Sequence, residues 1–153
     1  DVGIEQGKIA ALSPNLASSE AKRVIDAQGL IVTPGLIDLH THVANAIMSY
    51  SLPPDDAGVY TGVTAVCDAG STGYMNFNGF KELIIPGAQT EIMCLINLCP
   101  VGQAVVSEIC WQHINGKETI KIIQSHPDLV KGIKIRAGAG FVQNLGLEGV
   151  KAE

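Results

Sequence analysis

Charge and aromatic rings are both scarce in this chain. Only 16% of its 153 residues are charged and 5% aromatic, against 46% hydrophobic. So thin a polar surface resembles the inside of a larger fold more than a small free-standing domain. Acidic residues outnumber basic ones, for a net charge of −5. That balance lacks the basic footprint of a nucleic-acid binder. No apolar run approaches the ~20 residues of a membrane span, so no membrane is expected as a partner. The first residues, Asp1-Val-Gly-Ile-Glu5, carry no basic stretch and no signal-peptide core. Cys67, Cys94, Cys99 and Cys110 form no Cys-x-x-Cys pair, and their spacing matches no zinc module. Cys67 and Cys94 sit in apolar runs and read as buried thiols. Without an export signal, the expected compartment is the reducing cytoplasm. A start methionine is missing as well, so further sequence is expected upstream.

What is present centres on Thr33-Pro-Gly-Leu-Ile-Asp-Leu-His-Thr-His-Val43. Pro34-Gly35 marks a turn, and the apolar run after it reads as a buried strand. Side chains alternate faces along a strand, so His40 and His42, at i and i+2, point the same way. Two such imidazoles can close on one metal ion, each nitrogen ~2.0–2.1 Å from it. Leu36 and Asp38 share their face. Ile37, Leu39 and Thr41 form the other, which suits a packed helix. Asp38 can orient an imidazole from behind, or it is simply a buried, hydrogen-bonded carboxylate. By spacing alone, His-x-His also describes two polar rings near a sheet end. Its position favours the metal, because α/β folds build their sites at the C-terminal ends of parallel strands.

Residues 1–33 differ from the rest. Val2–Glu5 and Lys8–Leu12 are expected strands joined in a hairpin at Gln6-Gly7. Arg23–Ala27 and Gly29–Thr33 read as two more, and the whole as part of a small β domain. Over residues 34–153 the rhythm changes. Strand-like runs at Leu36–His40, Val63–Asp68, Glu91–Leu98 and Gly132–Ala137 alternate with helical or irregular stretches. Pro54–Thr61 starts with Pro54 near N1 and two aspartates in the first turn. Phe77–Ile85 is a short helix, and Asn115–Ser125 puts Ile114, Ile120 and Ile123 on one side. Such alternation implies a parallel sheet with right-handed crossovers. The strands start at 36, 63, 91 and 132, hence 27, 28 and 41 residues apart. A ~250-residue (β/α)8 barrel averages about 31 per unit. Four units make half a barrel and leave two unpaired parallel edges, which implies a piece of a longer chain. A four-stranded open α/β domain is the alternative, and periodicity does not separate the two.

A second piece of chemistry lies on the last strand, Val130-Lys-Gly-Ile-Lys-Ile-Arg-Ala137. Gly132, Lys134 and Arg136 share one face, Ile133 and Ile135 the other. If the isoleucines meet the helices, Lys134 and Arg136 face the interior. Desolvation disfavours a charged lysine there, and a neutral amine can take up carbon dioxide as a carbamate, an anion able to bridge two metals. The alternative is a lysine that keeps its ammonium in water at the strand end. Asp68 ends the second strand at the mouth of the fold, where it either touches substrate or caps the next turn. Gly70-Ser-Thr-Gly73 and Gly138-Ala-Gly140 fit no phosphate-binding pattern and read as strand-to-loop turns. Trp111 reads as core or interface, and His113 and His126 as surface residues.

Together these stretches resemble the amidohydrolase superfamily. Val32-Thr-Pro-Gly-Leu-Ile-Asp-Leu-His-Thr-His42 is similar to its first-strand signature, and Gly62-Val-Thr-Ala-Val-Cys-Asp-Ala-Gly70 to its second strand. Ile133-Lys-Ile-Arg136 resembles the carboxylated-lysine strand of its binuclear members, and Gly3-Ile-Glu-Gln-Gly-Lys-Ile9 its N-terminal β domain. The Asp68-Ala-Gly-Ser-Thr-Gly73 loop points to the dihydroorotase-like amidohydrolase/deacetylase branch. The resemblance implies the N-terminal half of a (β/α)8 TIM barrel (residues 34–153) after part of a small β-sandwich domain (1–33). It implies that His40 and His42 bind one metal and that Lys134, as carboxylysine, bridges it to a second, zinc being the expected metal. Metal-activated hydroxide would attack a cyclic amide, N-acyl or acetyl ester bond of a small-molecule substrate. The family's two further histidines and its general-base aspartate are expected beyond Glu153, so no catalytic residue is expected in this chain and the piece alone should be inactive. Arg136 could meet a substrate carboxylate or form a structural salt bridge. The full-length protein is expected to be a homo-oligomer. The competing readings are a non-catalytic, dihydropyrimidinase-like assembly protein on the same fold, and a metal-free α/β binding domain.

Overall fold

The computed structural model describes residues 1–105 and 113–138. The chain divides into two compact units, Asp1–Thr33 and Pro34–Glu153.

In the first unit β1 (Val2–Glu5) and β2 (Lys8–Leu12) pair antiparallel, Val2 opposite Leu12 and Glu5 opposite Lys8. Gln6 and Gly7 both take positive φ, 51° and 75°. Two consecutive left-handed residues match the right-handed twist of the strands they join. The expected strands at Arg23–Ala27 and Gly29–Thr33 are not formed. Their apolar side chains stay open, with Ile25 70% and Ile31 90% exposed. β-branched runs favour an extended backbone, but a strand also needs a neighbour to take its N–H and C=O groups. Among the described residues these two runs have none.

The second unit carries a four-stranded parallel sheet in the order β3-β4-β5-β6. Its strands are β3 (Leu36–Thr41), β4 (Val63–Gly73), β5 (Glu91–Asn97) and β6 (Val130–Lys134). Sequential order in a parallel sheet follows from the helical or irregular crossover between each pair of strands. The first crossover holds α1 (Pro54–Ala57), and the second α2 (Phe77–Gly79), which runs on through wider and tighter turns to Gly87. The third holds α3 (Gly116–Ser125), capped by the Asn115 side chain on the Glu118 amide. Phe77 and Phe80 from the second crossover are fully buried with Val66, Ile96 and Val130 of the sheet. Burying each ring contributes about 1.5–3 kcal/mol.

Three details differ from the pattern in the sequence. β4 runs on through Gly73, although Gly70 interrupts its pairing with β5. β6 ends at Lys134, because Asn97, its partner there, is the last residue of β5. Arg136 therefore lies just past the strand. On α3, Ile122 and Ile123 pack on the core and Thr119 is fully buried, while Ile120 is 49% exposed. The helix is rotated so that its polar but compact threonine meets the sheet. Leu39 of β3, expected beneath a helix, is 72% exposed.

Candidate metal centre

β4 is the second strand of the sheet, paired on both sides, and its residues from Ala65 to Gly73 are all buried. Its C-terminal half organises the candidate site. Asp68 is 1% exposed, so each carboxylate oxygen needs a donor. The Ser71 amide donates to Oδ1 at 2.7 Å. The Ser71 hydroxyl and the Val43 amide donate to Oδ2 at 2.7 and 2.8 Å. The turn that brings Ser71 back to Asp68 passes through Gly70 at φ 79°, a conformation that side chains other than glycine resist. Space is limiting there too: a Cβ on Gly70 would lie 2.5 Å from the Lys134 Cβ. The stem of Lys134 thus packs against β4 at Gly70.

The histidines stand beside this turn. Their ring centroids are 5.9 Å apart and nearly perpendicular, at 77°. His42 Nδ1 lies 2.8 Å from Ser71 Oγ. Burial lowers the His42 pKa. The Asp68 charge opposes that shift, and His40, Lys134 and Arg136 add to it. A ring whose neutral form is favoured suits a metal ligand, which must bind unprotonated. The Lys134 and Arg136 charges thus lie near enough to the His42 ring to act on it. A cavity of about 260 Å³ opens here, lined by His42, Met48, Tyr50, Gln103 and Arg136. Burial pulls the Arg136 guanidinium below its usual range. Among the described residues, no three His, Cys, Asp and Glu side chains gather as a metal site. Two adjacent rings and a lysine stem over the same strand end are a donor set that fits a divalent ion.

Asp38 has a different contact from the one expected. Its Oδ1 accepts the His40 backbone N–H at 2.9 Å rather than meeting an imidazole. Asp68 is a buried acceptor, not an open group at the mouth. Cys67 and Cys94 are free and buried, and burial raises both thiols above the ordinary range. His113 is exposed, whereas His126 is half-buried, its ring centroid 5.0 Å from that of Phe77 and its Nδ1 3.1 Å from the Ile122 carbonyl. Trp111 and the end of Gly138-Ala-Gly140 lie outside the described residues. Sequence reasoning overlooked Ser71, Asn97 and Gln103. Asn97 Nδ2 donates to the Gly70 carbonyl at 2.9 Å and steadies the turn. The Gln103 backbone N–H donates to the Ser71 carbonyl at 3.0 Å, its side-chain Nε2 donates to the Ala69 carbonyl at 3.3 Å, and the residue lines the cavity. The one local signal was the Asp68-x-x-Ser71 spacing, a carboxylate and a hydroxyl three residues apart.

Four parallel strands with paired histidines at the end of the first define a class of protein. This chain belongs to the amidohydrolase superfamily, and the four parallel strands of its second unit are part of the (β/α)8-barrel architecture of that group. A model of the amidohydrolase family matches residues 23–82. A deacetylase of Agrobacterium fabrum is 31% identical over 149 residues, covering 95% of this chain and 37% of the relative. A dihydroorotase of Geobacter sulfurreducens is 36% identical over 106 residues, 67% of this chain and 24% of the relative. Among solved structures, an adenine deaminase superposes with a TM-score of 0.83 at 29% identity, over 98% of this chain and 41% of its own. A dihydroorotase superposes with a TM-score of 0.72 at 30% identity, over 78% and 39%. The chain therefore spans well under half the length of each of these relatives.

Proposed function

We propose that this chain forms the first-metal half of a hydrolase that cleaves N-acyl, acetyl ester or cyclic amide bonds of small molecules. The observation that carries the reading is the convergence of the His40 and His42 rings with the Lys134 stem at one end of the sheet, beside an open cavity. His40 and His42 would hold one divalent ion. Lys134, its Nζ carbamylated by carbon dioxide with loss of a proton, would help to hold that ion and a second. When bound, the ions, zinc foremost, supply Lewis acidity toward a carbonyl and make water acidic enough to react near neutral pH. The protein's part is orientation. Gln103 and Tyr50 offer hydrogen bonds along the cavity wall, Met48 an apolar surface, and Arg136 a cation suited to a substrate carboxylate.

Metal analysis of the full-length protein tests this. Two equivalents of zinc are expected, lost in the His40→Ala, His42→Ala double variant. Mass spectrometry of the loaded protein should show one added carbon dioxide, absent in Lys134→Ala. Acetate release from N-acetyl or acetyl ester compounds would favour the deacetylase relatives over ring opening. A full-length protein that binds no metal would instead be a non-catalytic assembly protein or a metal-free binding domain.

A further inference from the structure

The Asp68–Ser71 pair has no role in the reading above, yet it ends on one of the two rings. Each hydrogen bond in it has a determined direction. A carboxylate only accepts, so the Ser71 hydroxyl spends its single proton on Asp68 Oδ2. Facing His42 at 2.8 Å, Ser71 Oγ then has only lone pairs to offer. The contact closes only if His42 carries its proton on Nδ1, which leaves the lone pair on Nε2. A free neutral histidine has no such constraint. Ser71 is fully buried and Asp68 1% exposed, so water does not compete for these bonds. Asp68 is held in turn by the Ser71 and Val43 amides. The Val43 bond also anchors the residue next to His42, so one carboxylate sets both the tautomer and the backbone position of the ring.

The same arrangement occurs a second time in the unit, where its polarity is beyond doubt. The Thr90 hydroxyl donates to Asp55 Oδ1 at 2.8 Å and accepts the Val59 amide at 3.1 Å. A backbone amide can only donate, so a hydroxyl pinned by a carboxylate serves there as an acceptor.

We propose that Asp68 and Ser71 are positioning residues that lock His42 as its Nδ1–H tautomer and aim Nε2 at the metal. This rests on the reading of His42 as a ligand, but the lock is testable without metal. In metal-free full-length protein at about pH 8.5, above the ordinary histidine range, nitrogen-15 NMR should show His42 protonated at Nδ1. Ser71→Ala should shift the ring toward Nε2–H, and Ser71→Thr, which retains the hydroxyl, should keep Nδ1–H. Zinc affinity should fall about ten- to a hundredfold in Ser71→Ala and recover in Ser71→Thr. Wild-type His42 found mainly as Nε2–H would overturn the proposal, whatever the variants do. So would an unchanged tautomer and zinc affinity in a folded Ser71→Ala protein. Wild type that binds no zinc would defeat the proposed function, while the metal-free tautomer would still decide the lock.

Discussion

The two ends of the parallel sheet are tied by the same device put to different uses. At the N-terminal end, Asp55 of α1 accepts the amides of Gln89 and Thr90, both at 2.9 Å, and the Thr90 hydroxyl. That hydroxyl receives the Val59 amide, so backbone joins backbone, and the tie holds a crossover against the start of β5. At the C-terminal end, Asp68 accepts two amides and the Ser71 hydroxyl, but the hydroxyl receives an imidazole. The first tie is partly open to water and the second sealed. A buried carboxylate with three donors is costly to disturb and holds its partners closely, which suits a group that must keep a ring in one orientation. At the N-terminal end, the same chemistry ties a crossover to the sheet.

Removing each part should separate the two ends. The largest effect is expected from Asp68→Ala. It leaves the buried Val43 and Ser71 amides without acceptors, and the loss should be about 3 kcal/mol, read by urea unfolding. Asp55→Ala should cost visibly less, and equal losses would break the contrast. Gly70→Ala comes next. It forces a side chain into φ 79° and against Lys134, for a loss of about 1–3 kcal/mol. Carbon dioxide uptake at Lys134 should fall with it, as read by mass spectrometry. Thr90→Val removes one hydroxyl and strands the Val59 amide, costing about 1 kcal/mol. Zinc affinity in that variant should match wild type, unlike Ser71→Ala. The smallest effect concerns acid. The Thr90 amide and hydroxyl, then the Gln89 amide, hold the Asp55 carboxyl below its ordinary value of 3.8. A depressed carboxylate stabilises the fold fully above its unfolded pKa, and that stability is lost as pH falls through the folded value. Melting temperature plotted against pH should therefore drop less steeply below about pH 4 in Asp55→Asn than in wild type.

Much of the frame was legible. Apolar runs alternating with crossovers pointed to the parallel sheet, and strand parity put His40 and His42 together, because both depend on near neighbours in the chain. Arg23–Ala27 and Gly29–Thr33 misled for the opposite reason. They have the composition of strands, and composition does not supply a pairing partner. Ile120 misled because helical periodicity gives a stripe without saying which edge of it meets the sheet. Ser71 carries no metal-ligand signature, and its part depends on a left-handed glycine one residue earlier.

Local chemistry thus decided the order of elements, the His-x-His pair and the turn-forming glycines, since each follows from backbone preference over a few residues. Folding decided which groups meet. His42 reaches Ser71 across 29 residues, and Val43 reaches Asp68 across 25. Lys134 comes to rest over Gly70 because β6 pairs with β5, and β5 with β4. These meetings depend on strand register and on every buried donor finding an acceptor, conditions imposed by the packed sheet as a whole and by no single stretch of it.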